Sequence, residues 1–309
     1  MADRSGHAMS PEPNLFLADG TRSQTGLELK ALLTRGLEDA VRQEALAPGT
    51  ERIARQLRAV LERCEFVLDG ADITSGSIDL TGLALSAMID DGDAPPPADV
   101  SDSPDSSAVT AREGALLRRL TLRAAPVLID GVPLSIDGEV RDVRLEWLET
   151  ASGKVGLHLT AFTTRHPLRG YLRLSAPKEE ALRGLSAFIA ASIEREGVRV
   201  SRLDIDVRSS GPRQLSLAAR AKVRKGVLAG KVRVLGSVEI DDSLILRFSE
   251  LSITSANPVL ATLIGLMRRD LKELESETVD LKDALPPGSR VTQLEVAVGR
   301  EMSFALALG

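Results

Sequence analysis

The sequence predicts an α+β protein in which long antiparallel strands are covered by amphipathic helices. Apolar residues recur every three or four positions in some segments, and they alternate with polar residues in the segments between. The resulting order is helices, strands, helix, strands, helix and strands, which differs from the regular alternation of a parallel α/β sheet. Dipeptides such as Asp-Gly and Ser-Gly separate the strand segments and favour hairpin turns. These patterns predict a curved antiparallel sheet with helices along its apolar side.

The helical segments each place an apolar stripe along one side. They are predicted over residues 27–46, 50–64, 177–196 and 257–274. Pro48 and Gly49 separate the first two helices, because both residues interrupt helical structure. Ser175 is predicted to cap the third helix, and Asn257 is predicted to cap the fourth, with Pro258 in its first turn.

Two runs of strands follow from the alternating segments. The first run extends over 66–174, with turns predicted at Asp130-Gly131 and Asp137-Gly138. The second run is predicted over 198–207, 214–223, 227–235, 238–240 and 244–253, and the last strands over 291–298 and 302–308.

The chain is predicted to contain one domain, over residues 27–309. Residues 1–26 are polar and rich in Pro, Gly and Ser, which is typical of a flexible tail. Residues 90–107 contain six Asp, four Pro and no Lys or Arg, which predicts a disordered acidic loop. A calcium loop is the alternative for this segment, but the ordered Asp-x-Asp-x-Asp-Gly spacing is absent.

The composition indicates an aliphatic core and argues against nucleic acid as a partner. Aromatic residues make up only 3% of the chain and the net charge is −5, whereas single-strand binders need aromatic platforms and a basic surface. The sequence lacks a segment of signal-peptide type and a run of about 20 apolar residues. We therefore expect a cytoplasmic protein that is at most peripheral to a membrane, or a periplasmic one if an export signal has been removed.

Catalytic and metal-binding motifs are weak, so no enzyme activity, metal or cofactor is expected. Ser175 and Lys178 match the Ser-x-x-Lys pattern of penicillin-recognising enzymes, but the companion motifs are missing. Asp204 and Asp206 share one face of a predicted strand, where they are either paired catalytic carboxylates or, as we favour, part of a solvated face. Cys64 is the only cysteine. The histidines, which lack metal-ligand spacing, are His7, His158 and His166.

A basic band is the strongest electrostatic feature of the sequence. Residues 207–238 contain eight Lys or Arg and no Asp or Glu. Arg220, Lys222 and Arg224 fall on one face of a strand, because side chains alternate with a period of two. The band is interpreted either as the solvated outer face of a sheet or as a contact surface for anionic lipid headgroups.

Four segments of the chain carry a family resemblance. They are LERCEFVLDGADITSGSIDLTGLALS, RGYLRLSAPKEEALRGLSAFIAASI, GKVRVLGSVEIDDSLILRFSELSITSANP and LPPGSRVTQLEVAVG. Over residues 27–309 the chain resembles the DUF2993 (LmeA-like) family, which is similar to tubular lipid-binding (TULIP) proteins. The resemblance implies a long curled antiparallel sheet wrapped around long amphipathic helices.

The resemblance also implies non-catalytic binding of a phospholipid or other acyl lipid, in lipid transfer or in membrane-lipid homeostasis. The acyl chains would lie in an apolar groove between the sheet and the helices at 177–196 and 257–274. The candidate lipid-binding residues are Leu182, Leu185, Phe188, Ile189, Ile193, Leu260, Leu263, Ile264, Met267 and Leu271. The candidate headgroup-binding residues are Arg220, Lys222 and Arg224, which would also allow a transient contact with an anionic membrane surface. The alternative is a protein-interaction scaffold with a solid core and no ligand.

Overall fold

The structure is a computed structural model in which the chain divides into two compact units. It describes residues 14–43, 50–85, 109–160, 162–195, 198–225, 228–258, 262, 278–285 and 288–309. Unit 1 comprises Met1–Val127 and Asp137–Gly170, and unit 2 comprises Leu128–Ile136 and Tyr171–Gly309. The sequence predicts one domain over 27–309, whereas each unit has a hydrophobic core of its own.

Unit 1 combines a sheet with two helices. Its elements are β1 (Asn14–Asp19), α1 (Gly26–Gln43), α2 (Thr50–Arg63), β2 (Glu65–Asp69), β3 (Asp72–Asp79), β4 (Ala84–Leu85), β5 (Val109–Ile129), β6 (Val132–Thr150) and β7 (Lys154–Leu159). The end of β5 and the start of β6 fall within Leu128–Ile136 and are counted with unit 2. Within the sheet β6, β5, β3 and β2 are neighbours in that order, β7 pairs with β6, and β1 pairs antiparallel with β7. The strand β1 lies inside the segment predicted as a tail.

The start of α1 is fixed by reciprocal capping between Thr25 and Glu28. The Glu28 backbone N–H donates to Thr25 Oγ1 at 3.2 Å, and Thr25 N–H donates to Glu28 Oε2 at 3.3 Å. This capping box satisfies amides that a helix leaves unpaired at its first turn. It orients α1 so that Leu29 and Leu32, each 1% exposed, enter the core of unit 1.

Trp147 on β6 lies at the centre of the core of unit 1. Its side chain is 1% exposed, and its indole Nε1 donates a hydrogen bond to the Ala71 carbonyl at 2.9 Å. The buried residues packed in the same cluster are Ala18, Leu29, Leu32, Ile73, Leu117, Val143, Leu145 and Val155. The indole therefore ties the turn after β2 to the middle of the sheet without leaving its polar atom unsatisfied.

A buried carboxylate, Glu139, is held by two arginines in unit 1. Its side chain is 3% exposed, and it accepts a hydrogen bond from Arg119 at 2.8 Å and another from Arg141. Burial raises the pKa of Glu139, but the hydrogen bonds from Arg141 and Arg119 lower it more, so its pKa lies below the ordinary value. Glu139 is therefore ionised in the folded protein at neutral pH.

Unit 2 contains one helix and two groups of paired strands among its described residues. The elements are β8 (Arg169–Pro177), α3 (Lys178–Arg195), β9 (Arg199–Gly211), β10 (Gln214–Lys225), β11 (Leu228–Ile240), β12 (Ile245–Ser255), β13 (Thr278–Asp280), a 3-10 turn (Leu281–Ala284), β14 (Val291–Val298) and β15 (Glu301–Leu308). One group is β14-β15-β8, and the other is a five-stranded sheet in the order β13-β12-β11-β10-β9. The buried core of this unit contains Ile240, Leu244 and Leu294.

The predicted fold, a long curled sheet wrapped around long helices, is wrong. The structure is mostly β, with 62% strand and 20% helix, and its sheets are not curled. The helices α1, α2 and α3 are short, with 18, 14 and 18 residues. The alternating pattern identifies strands and their buried faces, but it contains no information on sheet curvature, so the curved sheet predicted from the pattern and the curled sheet implied by the family resemblance are both wrong.

Two local predictions are also wrong. Asp137-Gly138 does not form a turn, because β6 runs unbroken through it, and this gives a strand of 19 residues. Ser175 does not cap α3, because it lies inside β8, which extends to Pro177. The hairpin turn at Asp130-Gly131 is confirmed, with φ values of 49° and 78° that suit a two-residue turn.

Substituting Leu32 by Ala should lower the free energy of unfolding of unit 1 by about 2–5 kcal/mol, because it leaves a cavity in the core. Urea titration followed by the fluorescence of Trp147, the only tryptophan, measures the change. Leu27, on the same helix but 78% exposed, provides the matched control. The free energy of unfolding of the Leu27→Ala variant should lie within about 0.5 kcal/mol of that of the wild type. Equal losses for the two variants would contradict the packing of α1 described above.

Substituting Glu139 by Gln should lower the free energy of unfolding by about 1–2 kcal/mol near neutral pH, because the charged hydrogen bonds from Arg119 and Arg141 are lost. The loss is moderate because both arginines are half-exposed and solvent screens their charges. The pKa of Glu139 is lowered in the folded state, so its stabilisation is present above the ordinary glutamate pKa and is lost as the pH falls through the lowered value. The gap between wild type and variant should therefore close in acid.

Glu113 serves as the control for this pH experiment. It pairs with Arg22 at 3.0 Å but is 55% exposed, so Glu113→Gln should change stability by less than about 0.5 kcal/mol. Urea midpoints measured from neutral to acidic pH compare the two variants. A gap for Glu139→Gln that stays constant with pH would contradict the assigned charge state.

Candidate functional site

The five-stranded sheet of unit 2 has one strongly charged face, which we call the cationic face. Alternation along β10 places Leu217 and Ala219 on one side and Arg220 and Lys222 on the other. Six cations of this face line the site, which are Arg202 and Arg208 on β9, Arg220 and Lys222 on β10, and Lys231 and Arg233 on β11, and Arg224 lies further along the same face of β10. All six are exposed.

Antiparallel pairing aligns these cations in two rows across the strands. In the first row Arg220 lies opposite Arg233 on β11 and opposite Asp204 on β9. In the second row Lys222 lies opposite Lys231 on β11 and opposite Arg202 on β9. Opposed side chains in such a pair have Cβ atoms about 4.5–5.5 Å apart. The register therefore places like charges side by side in both rows.

Among the cations of the cationic face, the carboxylates beside these rows neutralise only those of β9. Asp204 pairs with Arg202 at 2.8 Å, and Asp206 pairs with Arg208 at 2.8 Å. In the part of the chain that the structure describes, the remaining cations of the two rows form no ion pair; they are Arg220, Lys222, Lys231 and Arg233. Like charges in opposed positions destabilise a sheet, so an anion that binds there would relieve the repulsion.

Two adjoining hollows of about 660 Å³ and 570 Å³ lie along the cationic face. Both are lined by Asp204, Arg220 and Arg233, and the smaller one is also lined by Lys222 and Lys231. The larger one is also lined by charged residues, Asp206, Arg208 and Glu250, and by small or apolar residues, which include Ser216, Ala218, Leu235, Gly236 and Ser252. The small side chains leave room above the sheet, and the arginines of the first row border both spaces.

A β-bulge in β12 shapes the edge of the larger hollow. Leu235 pairs with Ser252, but Ser237 pairs with Ser249, so β12 contains one extra residue at this point. Glu250 in the bulge has a φ of 57°, which is uncommon for a residue other than glycine. Ser237 is 5% exposed, and its hydroxyl contacts Ser249 Oγ at 2.9 Å and the Glu250 carboxylate at 3.3 Å. These contacts hold the bulge in place.

The two carboxylates considered for acid–base chemistry are both held by cations. Asp206 accepts hydrogen bonds from Arg208 at 2.8 Å and from Lys178 at 3.3 Å, and these bonds lower the pKa of Asp206. A carboxylate with a lowered pKa is a weak base. The same contact occupies the Lys178 ammonium of the Ser-x-x-Lys pattern, whose Ser175 lies within β8.

The predicted headgroup residues separate into two sets. Arg220 and Lys222 line the hollows, whereas Arg224 is exposed further along β10, opposite Arg199 and Ala229, and does not line them. Sequence reasoning missed Arg202, Lys231 and Arg233 as their neighbours. The sequence contains a signal that could have identified Lys231 and Arg233. Residues that face each other on β10 and β11 lie at equal distances along the chain from residues 226–227, so the facing pairs can be counted from there.

The predicted lipid-binding residues are only partly described. On α3, Leu182 and Ile189 are half-buried, whereas Leu185 is 37% exposed and Phe188 is 63% exposed. This helix packs beside β9 and near β15. Five candidates lie outside the described residues, and these are Leu260, Leu263, Ile264, Met267 and Leu271. The backbone of Ile193 is described as part of α3, but its side chain is not. The predicted groove against the helix at 257–274 lies outside them as well, as does the acidic segment 90–107.

Metal centres and membrane spans were sought among the described residues. None of their His, Cys, Asp and Glu side chains form a group of three that could hold a metal ion. The described helices do not include one that is long and apolar enough to cross a membrane. Comparison with protein-family models, with curated proteins and with solved structures gave no match.

Replacing Lys222 by Glu should raise the thermal stability of unit 2, by about 0.2–1 kcal/mol, because it converts two like-charge contacts into opposite-charge ones. Calorimetry of the purified variant measures the shift, and the gain should shrink as salt is added. Arg208→Glu is the contrasting variant on the same face, because it breaks the pair with Asp206 and should lower stability. A loss of stability in Lys222→Glu would contradict the repulsion inferred for the second row.

Proposed function

We propose that the protein binds an anionic phospholipid or related acyl lipid without catalysing a reaction, and that the cationic face holds the headgroup phosphate. The observation that carries the proposal is the pair of rows in which Arg220, Lys222, Lys231 and Arg233 stand together and, among the described residues, form no ion pair, while Asp204 opposite Arg220 is paired with Arg202. Guanidinium groups bind phosphate oxygens through paired hydrogen bonds, and ammonium groups add charge. A phosphate above the rows would replace repulsion by attraction.

Exposed apolar side chains in unit 2 support a lipid as the source of the phosphate. Phe188 and Leu185 on α3 are exposed, and Leu235, which is 37% exposed, lines the larger hollow beside Arg233. An acyl chain in contact with such residues would contribute roughly 0.8 kcal/mol for each buried methylene. The resemblance of the sequence to the DUF2993 (LmeA-like) family favours the same class of ligand.

The test is flotation of the purified protein with vesicles. Protein should float with vesicles of phosphatidylcholine and phosphatidylglycerol but less with phosphatidylcholine alone, and salt should weaken the binding. The double variant Arg220→Glu with Arg233→Glu should bind at least about tenfold more weakly, since each cation near an anionic surface contributes about 1 kcal/mol.

A double variant with the same change in net charge provides the control. Arg165 and Arg300 are exposed outside regular strands, so Arg165→Glu with Arg300→Glu should leave flotation close to that of the wild type. Organic extraction and native mass spectrometry of the purified protein should in addition reveal co-purified lipid. A protein that carries no lipid, and that floats with no vesicle, would favour the scaffold alternative and contradict the proposal.

A further inference from the structure

The two rows of the cationic face are separate binding positions, and we infer that the ligand carries two phosphate groups on one molecule. This inference rests on the proposed function and specifies the class of headgroup. The first row presents Arg220 and Arg233, and the second presents Lys222 and Lys231. Each row contains a pair of opposed cations on β10 and β11, with Asp204 of β9 beside Arg220 in the first row, so each pair is able to hold one phosphate between two side chains.

The spacing of the rows follows from strand geometry. Arg220 and Lys222 are two residues apart on β10, and Arg233 and Lys231 are two residues apart on β11. Strands rise about 3.3 Å per residue, so the rows lie roughly 6.6 Å apart. One phosphate placed between Arg220 and Arg233 leaves the charges of Lys222 and Lys231 uncompensated, so the four cations can accept a second phosphate. Two phosphates joined by a short linker, as in a headgroup with a glycerol bridge, match this distance.

The chemistry of the two rows differs in a way that suits two phosphates. Paired guanidinium groups in the first row fix the orientation of a phosphate through planar, two-pronged hydrogen bonds. Ammonium groups on flexible stems in the second row act as point charges and tolerate variation in the position of the second phosphate. Arg202 also belongs to the second row, but its guanidinium is held by Asp204 at 2.8 Å.

The hollows have the same two-part arrangement. The larger is bordered by the first row, and the smaller is bordered by both rows and by Thr254 and Ser255. Arg220 and Arg233 line both hollows, so one phosphate at the first row lies between them. The second phosphate then occupies the smaller hollow beside Lys222 and Lys231. The larger hollow is lined by Leu235 and Ala218 but also by the carboxylates of Asp204, Asp206 and Glu250, so it is left for the part of the ligand that carries no phosphate.

Competition with soluble headgroups tests the inference on the full-length protein. The protein is bound to vesicles of phosphatidylcholine and cardiolipin, and two competitors are added at equal phosphate concentration. These are deacylated cardiolipin, with two phosphates, and deacylated phosphatidylglycerol, with one. Because the second phosphate binds as a linked group, deacylated cardiolipin should compete about a hundredfold better.

Variants of the second row provide the specific control. Lys222→Gln with Lys231→Gln should abolish the preference for two phosphates while keeping the weaker competition by one. Arg165→Gln with Arg300→Gln should keep the full preference. Circular dichroism confirms that each variant is folded, and Lys222→Ala with Lys231→Ala replaces the glutamine pair if that pair is not.

The outcomes separate the inference from the proposed function. Equal competition by the two headgroups would overturn the inference while flotation on anionic vesicles still supports lipid binding. Absence of binding to any vesicle would overturn the proposed function itself. Stronger competition by a single-stranded oligonucleotide than by deacylated cardiolipin would overturn both, because phosphates repeat along a nucleic-acid backbone. Deacylated cardiolipin and cardiolipin vesicles are also compared as competitors. If the two compete equally well, the acyl chains add nothing to binding, and this would overturn the proposal that the phosphates belong to a lipid.

Discussion

The register between β10 and β11 determines which charges meet in unit 2. Residues 226–227 lie between the two strands, and from Lys225 opposite Leu228 the pairing continues to Gln214 opposite Glu239. A slip of one residue would move every side chain of one strand to the other face. Arg220 would then no longer lie beside Arg233, and the apolar residues of β10 would face water. The burial of the apolar face therefore enforces the repulsion on the charged one.

This dependence explains how a sheet keeps an arrangement that is unfavourable by itself. Leu217, Ala219 and Val223 on β10 are partly buried on the face opposite to the cations. Burial of apolar area contributes roughly 25 cal/mol per Å², which outweighs the modest cost of exposed like-charge neighbours. Exposed charges of one sign that persist at such a cost are more typical of a binding surface than of a merely solvated one. Unit 1 shows the opposite solution, in which Glu139 is compensated by two arginines.

The sequence predicted local elements more successfully than the fold. The spacing of Leu29 and Leu32 identified α1, and the alternation around Arg220 identified β10, because each signal lies within a few consecutive residues. Curvature, strand length and the partners of Arg220 depend on contacts between distant segments. Asp137-Gly138 illustrates the limit, since a favourable turn dipeptide was overridden by the pairing of a long strand. The strand β1 was missed because its own residues give little periodic signal.

The bulge at Glu250 has a consequence for how β12 can vary in length. The extra residue changes the parity of the strand, so that Phe248 lies opposite Val238 on the apolar face and Arg247 lies opposite Glu239 on the polar one. Loss of a single residue at this point would exchange the two faces for half of the strand. Insertions and deletions within β12 are therefore tolerated only as compensating pairs. Single-residue changes in length are confined to the connections at its ends, and the spacing between Arg247 and Thr254 is a constraint that related chains are expected to share.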